Sequence, residues 1–272
     1  MKTIALVYNP TLPRARQEGH RLKSWLKRRG VKVIAASEVQ GTMKNADFIV
    51  ALGGDGTVLS VAKQVVNWDL PVLGVNAGHL GFLAATEAGA MRRTLARILG
   101  GEKRIEARTM VSTSGVSRGK KIGPYLAIND VVIRSGGSGR SLHLATYVRN
   151  KPLASYVGDG IILSTPTGST AYNLAAQGPI LYPELDVLLL SPICPHSLMQ
   201  RPLVMPPFEV VEVEVLEPRV GAILCTDGQV VHTLTAGDRV MISRAQEQVK
   251  LLMDPDRTYY QVLQSKLKWG GT

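Results

Sequence analysis

The 272 residues of this chain are enough for one large domain or two ordinary ones, and a hydrophobic content of 45% supports a substantial core. Aromatic residues make up only 5%, which disfavours a base-stacking surface for single-stranded nucleic acid. No apolar run approaches the roughly 18–20 residues that cross a bilayer, and the N-terminus lacks the pattern of a signal peptide.

The net charge of +11 leaves open nucleic acid, an anionic membrane surface or small polyanionic substrates as partners. The first 110 residues hold most of the excess, with 17 Lys and Arg against 8 Asp and Glu. Many of these cations lie in Arg14–Arg29, where Leu22, Trp25 and Leu26 share one helical face before Gly30. We interpret this segment as a solvated amphipathic helix; a phosphate-attracting surface and a nucleic-acid site are the alternatives.

Strands and helices alternate over the first 100 residues, which predicts a Rossmann-like α/β domain with a parallel sheet over residues 1–100. The predicted strands are Thr3–Tyr8, Val31–Ala35, Ala46–Leu52 and Pro71–Val75, and the predicted helices are Arg14–Arg29, Val58–Asn67 and Glu87–Leu99. Ligands bind at the carboxyl ends of the strands in such sheets. Two glycine-containing loops, Gly53–Thr57 and Asn76–Phe82, occupy such positions.

The loop Gly53–Thr57 (GGDGT) joins a buried strand to a helix, so backbone N–H groups at the helix N-terminus can receive a phosphate. Asp55 is out of place beside phosphates unless it accepts a proton from a hydroxyl nucleophile or organises Mg²⁺. Neither a Walker A pattern nor a GxGxxG motif is present. Phosphoryl transfer is therefore the first hypothesis, and a glycine turn in which Asp55 caps the helix is the structural alternative.

From Lys103 onward short strand-like runs predict an all-β domain, a β-sandwich over residues 101–254. The predicted strands are Leu126–Arg134, Leu142–Val148, Leu153–Val157, Ile161–Ser164, Val187–Leu190, Val210–Leu216, Ala222–Thr226, Gln229–Leu234 and Arg239–Ser243. Asn150-Lys151 and Asp227-Gly228 are predicted hairpin turns. A final helix, Tyr259–Lys268, is expected to pack back on the first domain as part of residues 255–272.

Two polar segments of the second half are candidates for ligand contacts. The hydroxyl-rich run Gly158–Asn173 suits a ribose, an amide and a base edge better than a bare phosphate, whereas an ordinary Ser/Thr turn accounts for one or two of its hydroxyls. Asn129-Asp130 interrupts an apolar strand, which is unfavourable unless the pair is at an edge or liganded. An amide and a carboxylate together can hold a ribose diol or an adenine amino group.

Together these segments resemble the NAD kinase family of bacteria and archaea over nearly the whole chain. The matching segments are Gly53–Thr57, Asn76–Phe82, Asn129-Asp130, Asp159–Tyr172, Gln177–Ile180 and Asp227–Gln229. GGDGT alone is shared with lipid kinases and loosely with phosphofructokinases, whereas the TPTGSTAY segment with Asn129-Asp130 is more specific. The resemblance implies transfer of the ATP γ-phosphoryl group, with Mg²⁺, to the 2′-hydroxyl of the adenosine ribose of NAD, which gives NADP; inorganic polyphosphate stays open as a second donor.

The resemblance also assigns roles to residues. Asp55 would be the proton acceptor, and the residues around it would receive phosphates, namely Gly53, Gly54, Gly56 and Thr57. Asn129 and Asp130 would hold the adenosine, Phe82 would border the adenine, and Arg140 would contact a phosphate. The dinucleotide pocket would include Asp159, Thr170, Ala171, Tyr172, Asn173, Leu174, Ala175 and Gln229.

A homodimer or homotetramer with sites near subunit interfaces is likewise implied by the resemblance only, with neither nucleic acid nor membrane as a partner. Cys194 and Cys225 have neither CxxC spacing nor partner histidines, so we interpret them as two small buried hydrophobes in a reducing, cytoplasmic location. Three alternatives stay open: a lipid kinase with an acyl groove, a non-catalytic dinucleotide-binding regulator, and a nucleic-acid-binding protein whose affinity depends on salt.

Overall fold

The computed structural model describes residues 2–78, 81–137, 141–216 and 221–269. The chain divides into two compact units. The first runs to Ala107 and resumes at Val249, and the second spans Arg108–Gln248. No helix in the described part of the chain is long and apolar enough to cross a membrane.

The elements follow one another in the order strand–helix in the first unit and mostly strand–strand in the second. In chain order they are β1 (Thr3–Tyr8), α1 (Pro13–Lys27), β2 (Lys32–Ala36), β3 (Phe48–Gly53), α2 (Asp55–Val65), β4 (Val72–Asn76), β5 (Thr86–Glu87), α3 (Met91–Leu99), β6 (Arg104–Ser117), β7 (Lys120–Ala127), β8 (Asp130–Ser135), β9 (Leu142–Val148), β10 (Lys151–Gly158), β11 (Gly160–Ser164), α4 (Tyr172–Ala175), β12 (Leu188–Ile193), β13 (Leu203–Met205), β14 (Val211–Val215), β15 (Ala222–Thr226), β16 (Gln229–Leu234), β17 (Arg239–Met253) and α5 (Tyr259–Leu267).

A parallel sheet forms the centre of the first unit. Its strands lie in the order β2–β1–β3–β4, and the last residues of β17 extend it beside β4, where Leu251 pairs with Val72. Every residue of β3 and β4 is buried, as expected for strands that are apolar throughout except for Asn76 at the end of β4. Because β1 lies between β2 and β3, the carboxyl ends of β1 and β3 form a topological switch point, the usual ligand position in such sheets.

Helix α1 buries the face that the sequence predicts. Leu22, Trp25 and Leu26 are buried, and the guanidinium of Arg29 lies 4.0 Å from the centre of the Trp25 ring. Most of the basic side chains of the helix are exposed. The interpretation of this segment as a solvated amphipathic helix is therefore confirmed.

Helix α5 belongs to the first unit and buries Val262 and Leu263. A capping box fixes its start, since Thr258 Oγ1 accepts from the Gln261 N–H at 3.3 Å and Gln261 Oε1 accepts from the Thr258 N–H at 2.9 Å.

Two antiparallel sheets form the second unit. One has the order β13–β12–β11–β8–β15–β16, and the other contains β10–β9–β14–β17. Alternate residues of both sheets share one core, in which Val131, Leu163 and Leu224 of the first sheet join Leu144 and Val213 of the second. The other face of the six-stranded sheet carries a smaller apolar cluster, and the candidate site described below lies on that face.

The run Leu126–Arg134, predicted as one strand, is in fact two strands. β7 ends at Ala127 and β8 begins at Asp130, so Ile128 and Asn129 form a bend between them. The prediction of a single strand was wrong because the bend is held by hydrogen bonds from segments distant in the sequence. Local sequence patterns do not reveal such bonds.

The hairpin between β9 and β10 turns one residue earlier than predicted. Arg149 and Asn150 have φ angles of 51° and 61°, the two consecutive positive values of a type I′ turn. Strand β17 continues to Met253, well beyond the predicted end at Ser243, and β6 has no counterpart among the predicted strands.

Candidate active site

The GGDGT loop lies where β3 ends and α2 begins. Gly54 is the N-cap residue, and its carbonyl accepts the N–H groups of Thr57 and Val58 at 2.9 and 3.2 Å. A Cβ on Gly53 would overlap the Thr57 side chain, so this strand end accepts only glycine. Since the first N–H groups of a helix have no acceptor within it, the loop offers them to an anion.

The carboxylate of Asp55 is fixed by a second loop instead of capping its own helix. It accepts the N–H of Phe82 at 2.7 Å and the N–H of Leu83 at 3.3 Å, and α2 has no side-chain cap. A Cβ on Gly81 would overlap this carboxylate, so the close approach of the two loops requires glycine there. The structural alternative of a capping aspartate is thus wrong. Two hydrogen bonds orient Asp55 and leave lone pairs for a further donor.

A cavity of about 470 Å³ opens at the switch point of the first unit. Its lining comes from the residues that follow β1, β2 and β3 and from one side of α2. The lining residues are Val7, Asn9, Pro10, Leu12, Ser37, Glu38, Val39, Gly54, Gly56, Thr57, Ser60, Val61 and Gln64. We call this space the first cavity. The N-cap residues of α1 and α2, Leu12 and Gly54, both border it, so the positive ends of two helix dipoles meet there.

Asn9 connects the strand end of β1 to the GGDGT loop. Its Nδ2 donates to Thr57 Oγ1 at 3.4 Å, and its Oδ1 accepts from the Thr11 N–H at 3.0 Å. Asn9 therefore holds one wall of the first cavity in place.

The second unit has a cavity of about 480 Å³ on the outer face of its six-stranded sheet. The lining residues are Asn129, Asp130, Val132, Arg134, Ala171, Tyr172, Cys225, Asp227 and Gly228. We call this space the second cavity. It brings together Asn129, Asp130, Ala171 and Tyr172, four of the residues that the family resemblance assigns to the dinucleotide.

Asp130 is only 3% exposed, and burial raises its pKa to about 7, with a further contribution from the negative charge of Asp227. Asp227 itself is the first residue of a type I′ turn, with φ of 51° followed by 77° at Gly228, as predicted. Its carboxylate accepts the N–H of Asn129 at 2.7 Å and the N–H of Ile128 at 3.0 and 3.1 Å. The turn thus also holds the bend between β7 and β8.

Most hydroxyls of the run Gly158–Asn173 form hydrogen bonds within the protein. Thr165 Oγ1 donates to the carbonyl of Ile128 at 2.6 Å, and Ser169 Oγ donates to that of Pro166 at 2.6 Å. Ser164 Oγ donates to the carbonyl of Thr165 at 2.8 Å. The sequence analysis assigned a structural role to too few of these hydroxyls, because some of their acceptors are backbone carbonyls distant in the sequence.

Asn173 is fully buried, and its amide is engaged on both sides. Its Nδ2 donates to the carbonyls of Ser169 and Pro179 at 3.1 and 3.3 Å, and its Oδ1 accepts from Ser191 Oγ at 2.6 Å. A Cβ on Gly178 would overlap this amide. In this structure Asn173 shapes the loop that carries Ala171 and Tyr172, so its direct contact with a dinucleotide stays a prediction.

The remaining predicted residues of the dinucleotide pocket lie outside the linings of both cavities. Asp159 is exposed between β10 and β11, and Thr170 Oγ1 donates to the carbonyl of Thr167 at 3.3 Å. Leu174 and Ala175 lie on α4, and Gln229 is exposed at the start of β16. None of these five is among the described residues that line the second cavity, and Arg140 lies outside the described residues.

Sequence reasoning missed Val132, Arg134 and Cys225 in the second cavity. Strand alternation contained the signal for the first two, because Asp130, Val132 and Arg134 share one face of β8. Cys225 pairs with Val132 in the neighbouring strand, which only the sheet register reveals. The first cavity also has lining residues, such as Glu38 and Gln64, that no motif identified.

Comparison with known proteins decides the family. Residues 42–103 match the family model described as the ATP-NAD kinase N-terminal domain, and residues 128–253 match that of the ATP-NAD kinase C-terminal domain. The chain belongs to the NAD kinase family. It is 37% identical to the NAD kinase of Syntrophobacter fumaroxidans, over 99% of each chain. It is 36% identical to that of Heliobacterium modesticaldum, over 99% of this chain and 100% of the relative.

Solved structures share the two-domain fold, an α/β domain followed by a β-rich domain. Yeast NADH kinase complexed with NADH superposes with a TM-score of 0.89 at 23% identity, covering 100% of this chain and 89% of that one. An NAD kinase from Archaeoglobus fulgidus in complex with ATP gives 0.80 at 24% identity, covering 97% and 98%. At these identities the likeness concerns the fold. Membership of the NAD kinase family accounts for the GGDGT motif, so no relationship to phosphofructokinases or lipid kinases has to be invoked for it.

Proposed function

We propose that this protein is an NAD kinase, which transfers the γ-phosphoryl group of ATP to the 2′-hydroxyl of the adenosine ribose of NAD and produces NADP. The observation that carries the proposal is the carboxylate of Asp55, which two backbone N–H groups of Phe82 and Leu83 hold on the GGDGT loop. Membership of the family supports it, since the relatives over the full chain length are NAD kinases. The lipid-kinase alternative is not favoured by any of them.

The donor phosphates belong in the first cavity. Gly54 and Gly56 present backbone N–H groups at the start of α2 there, and glycine at both positions lets a phosphate approach the backbone closely. ATP is the donor that the family implies. The dinucleotide belongs in the second cavity, where Asn129 and Asp130 offer an amide and a carboxyl group to the adenosine and Tyr172 offers a ring face.

Phosphoryl transfer needs little covalent chemistry from the protein, so positioning dominates. The new bond joins the ribose 2′-oxygen to the γ-phosphorus, the bond from that phosphorus to the oxygen of ADP breaks, and the hydroxyl proton passes to Asp55. Because its two N–H donors fix Asp55 in one orientation, the free lone pairs can accept the hydroxyl without a search over rotamers. Such a general base contributes roughly 10²–10⁴-fold.

A divalent cation such as Mg²⁺ fits the chemistry of this loop. Among the described residues no group of three or more His, Cys, Asp and Glu side chains could hold a metal. Mg²⁺ usually binds through one or two carboxylates plus substrate phosphates and water, and Asp55 is the carboxylate of the GGDGT loop. When bound, the cation neutralises charge on the donor phosphates.

A homo-oligomer and a cytoplasmic location complete the proposal. Leu198, Met199 and Phe208 are 81%, 88% and 70% exposed in the second unit, which supports a surface covered by a second copy. Sedimentation at several protein concentrations tests this, and a monomer throughout would contradict it. Cys194 and Cys225 are both free thiols, as a reducing compartment favours; Cys225 is buried as predicted, whereas the prediction of a buried Cys194 was wrong, since that residue is exposed.

The decisive experiment compares Asp55→Asn with the wild type. Asparagine can keep the 2.7 Å bond from the Phe82 N–H but cannot take up a proton, so we expect kcat to fall by roughly 10²–10⁴-fold. The dissociation constant for NAD should change little. NADP formed from NAD, ATP and Mg²⁺ is measured with an NADP-specific dehydrogenase, and NAD binding by calorimetry.

Asp69→Asn is the matched control, because Asp69 is an exposed carboxylate of the same unit that pairs with Lys250. It should keep wild-type turnover. Near-normal kcat in Asp55→Asn would remove Asp55 from the mechanism. A wild type that binds NAD but never forms NADP would favour the non-catalytic regulator.

A further inference from the structure

The lining of the first cavity includes apolar residues that the binding of phosphates does not require. Beyond the GGDGT loop it has apolar walls, to which Val7 and Val61 contribute side chains that are each 3% exposed, together with Leu12 and Val39. Its volume of about 470 Å³ lies within the roughly 300–1,000 Å³ of small-molecule sites, which are mostly apolar with a few placed polar groups. Bare phosphate oxygens gain nothing from such walls, whereas a nucleoside does.

Glu38 is the one charged side chain among the described residues that line this cavity. It lies two residues after the end of β2, it is exposed, and it forms no hydrogen bond or ion pair with another described residue. A free carboxylate beside a phosphate-binding loop repels phosphate. A ligand group that donates hydrogen bonds to this carboxylate would offset the repulsion.

The diol of a ribose is such a group. A carboxylate accepts two O–H donors at once, and in doubly wound sheets an acidic residue near the end of the second strand takes this role for a ribose 2′-hydroxyl. Here β2 and β1 are neighbours in the sheet, and the residues after both strands line the same cavity as Gly54 and Gly56. The position of Glu38 thus matches the ribose of a nucleotide whose phosphates reach the loop.

We propose that Glu38 is a donor-specificity residue, whose carboxylate binds the ribose diol of a nucleoside triphosphate and disfavours inorganic polyphosphate. The inference rests on the proposed function, because it assigns the first cavity to the phosphoryl donor. Gln64 supports the nucleoside end: its Nε2 donates to the Ser60 carbonyl and hydroxyl at 3.2 and 3.1 Å, which leaves its Oε1 as an acceptor on the cavity wall.

The test measures binding of ATP, 2′,3′-dideoxy-ATP and tripolyphosphate to the full chain with Mg²⁺ by calorimetry, and NADP formation separately. We expect the wild type to bind ATP roughly tenfold more tightly than dideoxy-ATP, as hydrogen bonds to a charged group allow. In Glu38→Gln this ratio should fall to about two or less, while tripolyphosphate binds as well as before or better, since a repelling charge is gone.

Glu184→Gln is the matched control, because Glu184 is an exposed glutamate of the second unit outside both cavities. It should keep the wild-type ratio. An ATP to dideoxy-ATP ratio that is the same in the wild type and in Glu38→Gln overturns the inference, as does equal weakening of ATP and tripolyphosphate. Binding separates this result from the proposed function: discrimination without NADP formation keeps Glu38 and rejects the kinase, and NADP formation without discrimination does the opposite.

Discussion

Replacing Asp130 with asparagine should change how the stability of this protein depends on pH. Asp130 is 3% exposed, and burial together with the charge of Asp227 raises its pKa to about 7 from the ordinary 3.8 of an aspartate. The folded state therefore binds this proton in a pH range where the unfolded chain has lost it. Asparagine has nearly the same shape but no proton to lose.

Proton linkage gives the direction in which the stability changes with pH. Between about pH 4 and 7 the folded state holds more protons than the unfolded state, so the free energy of unfolding falls as pH rises. Protonated Asp130 contributes its full stabilisation of the folded state below the pKa of the residue in the unfolded chain, and this stabilisation is lost above pH 7. The difference between a pKa of about 7 and the ordinary 3.8 corresponds to about 4 kcal/mol in total, and to about 3 kcal/mol between pH 5 and pH 8.

The assay is urea unfolding of wild type and Asp130→Asn at pH 5, 6, 7 and 8, followed by far-UV circular dichroism. The stability of the variant relative to the wild type should increase by about 3 kcal/mol across this range, with equal denaturant slopes. Asp186→Asn is the control, because Asp186 is an exposed carboxylate of the same unit that pairs with Arg244. Its difference from the wild type should stay flat.

Parallel stability curves for the wild type and Asp130→Asn would refute the reasoning. They would mean that Asp130 is ionised in the folded state over the whole range, which requires a compensating cation or water at its carboxylate.

One glycine substitution and one aspartate substitution test how the GGDGT loop and the bend between β7 and β8 are held in place. Gly81→Ala places a Cβ on the Asp55 carboxylate, so kcat should fall at least about 10²-fold. The control Gly89→Ala, whose Cβ meets no atom within 4 Å, should stay active. An active Gly81→Ala enzyme would contradict the fixed orientation of Asp55. Asp227→Ala removes the acceptor of two backbone N–H groups, so thermal unfolding should show a loss of about 1–3 kcal/mol; an unchanged melting temperature would show that the bend is held without it.

The sequence predicts the first unit well because its signals are local. Three buried apolar strands, the half-buried β2 and an amphipathic α1 give the elements of the parallel sheet, and glycines mark the loop at the end of β3. The position of Asp55 on that loop also follows from sequence alone. Its hydrogen bonds do not, because the donors at Phe82 and Leu83 are 27 and 28 residues away and the approach depends on a missing Cβ at Gly81.

The second unit is harder to predict because its strands are ordered by long-range pairing. β8 pairs with β11 and β15, so the neighbours of Asp130 in space are Ser164 and residues near Asp227. The face of β8 that contains Arg134 is predictable from alternation, but which strand supplies Cys225 is not. For the same reason the pattern could not separate hydroxyls that bind a ligand from those that bind the backbone.

The bend at Ile128 and Asn129 shows how three distant motifs form one site. The Asp227 carboxylate accepts both N–H groups of the bend, Thr165 Oγ1 donates to the Ile128 carbonyl, and the Thr165 N–H donates to the Asn129 carbonyl. A Cβ on Gly168 would overlap that same carbonyl. The backbone of the bend is thus fully satisfied by the protein, as a buried backbone must be. Only side chains are left to meet a ligand, so the residue types at Asn129 and Asp130 are free to serve binding, while Asp227, Thr165 and Gly168 are constrained by the fold.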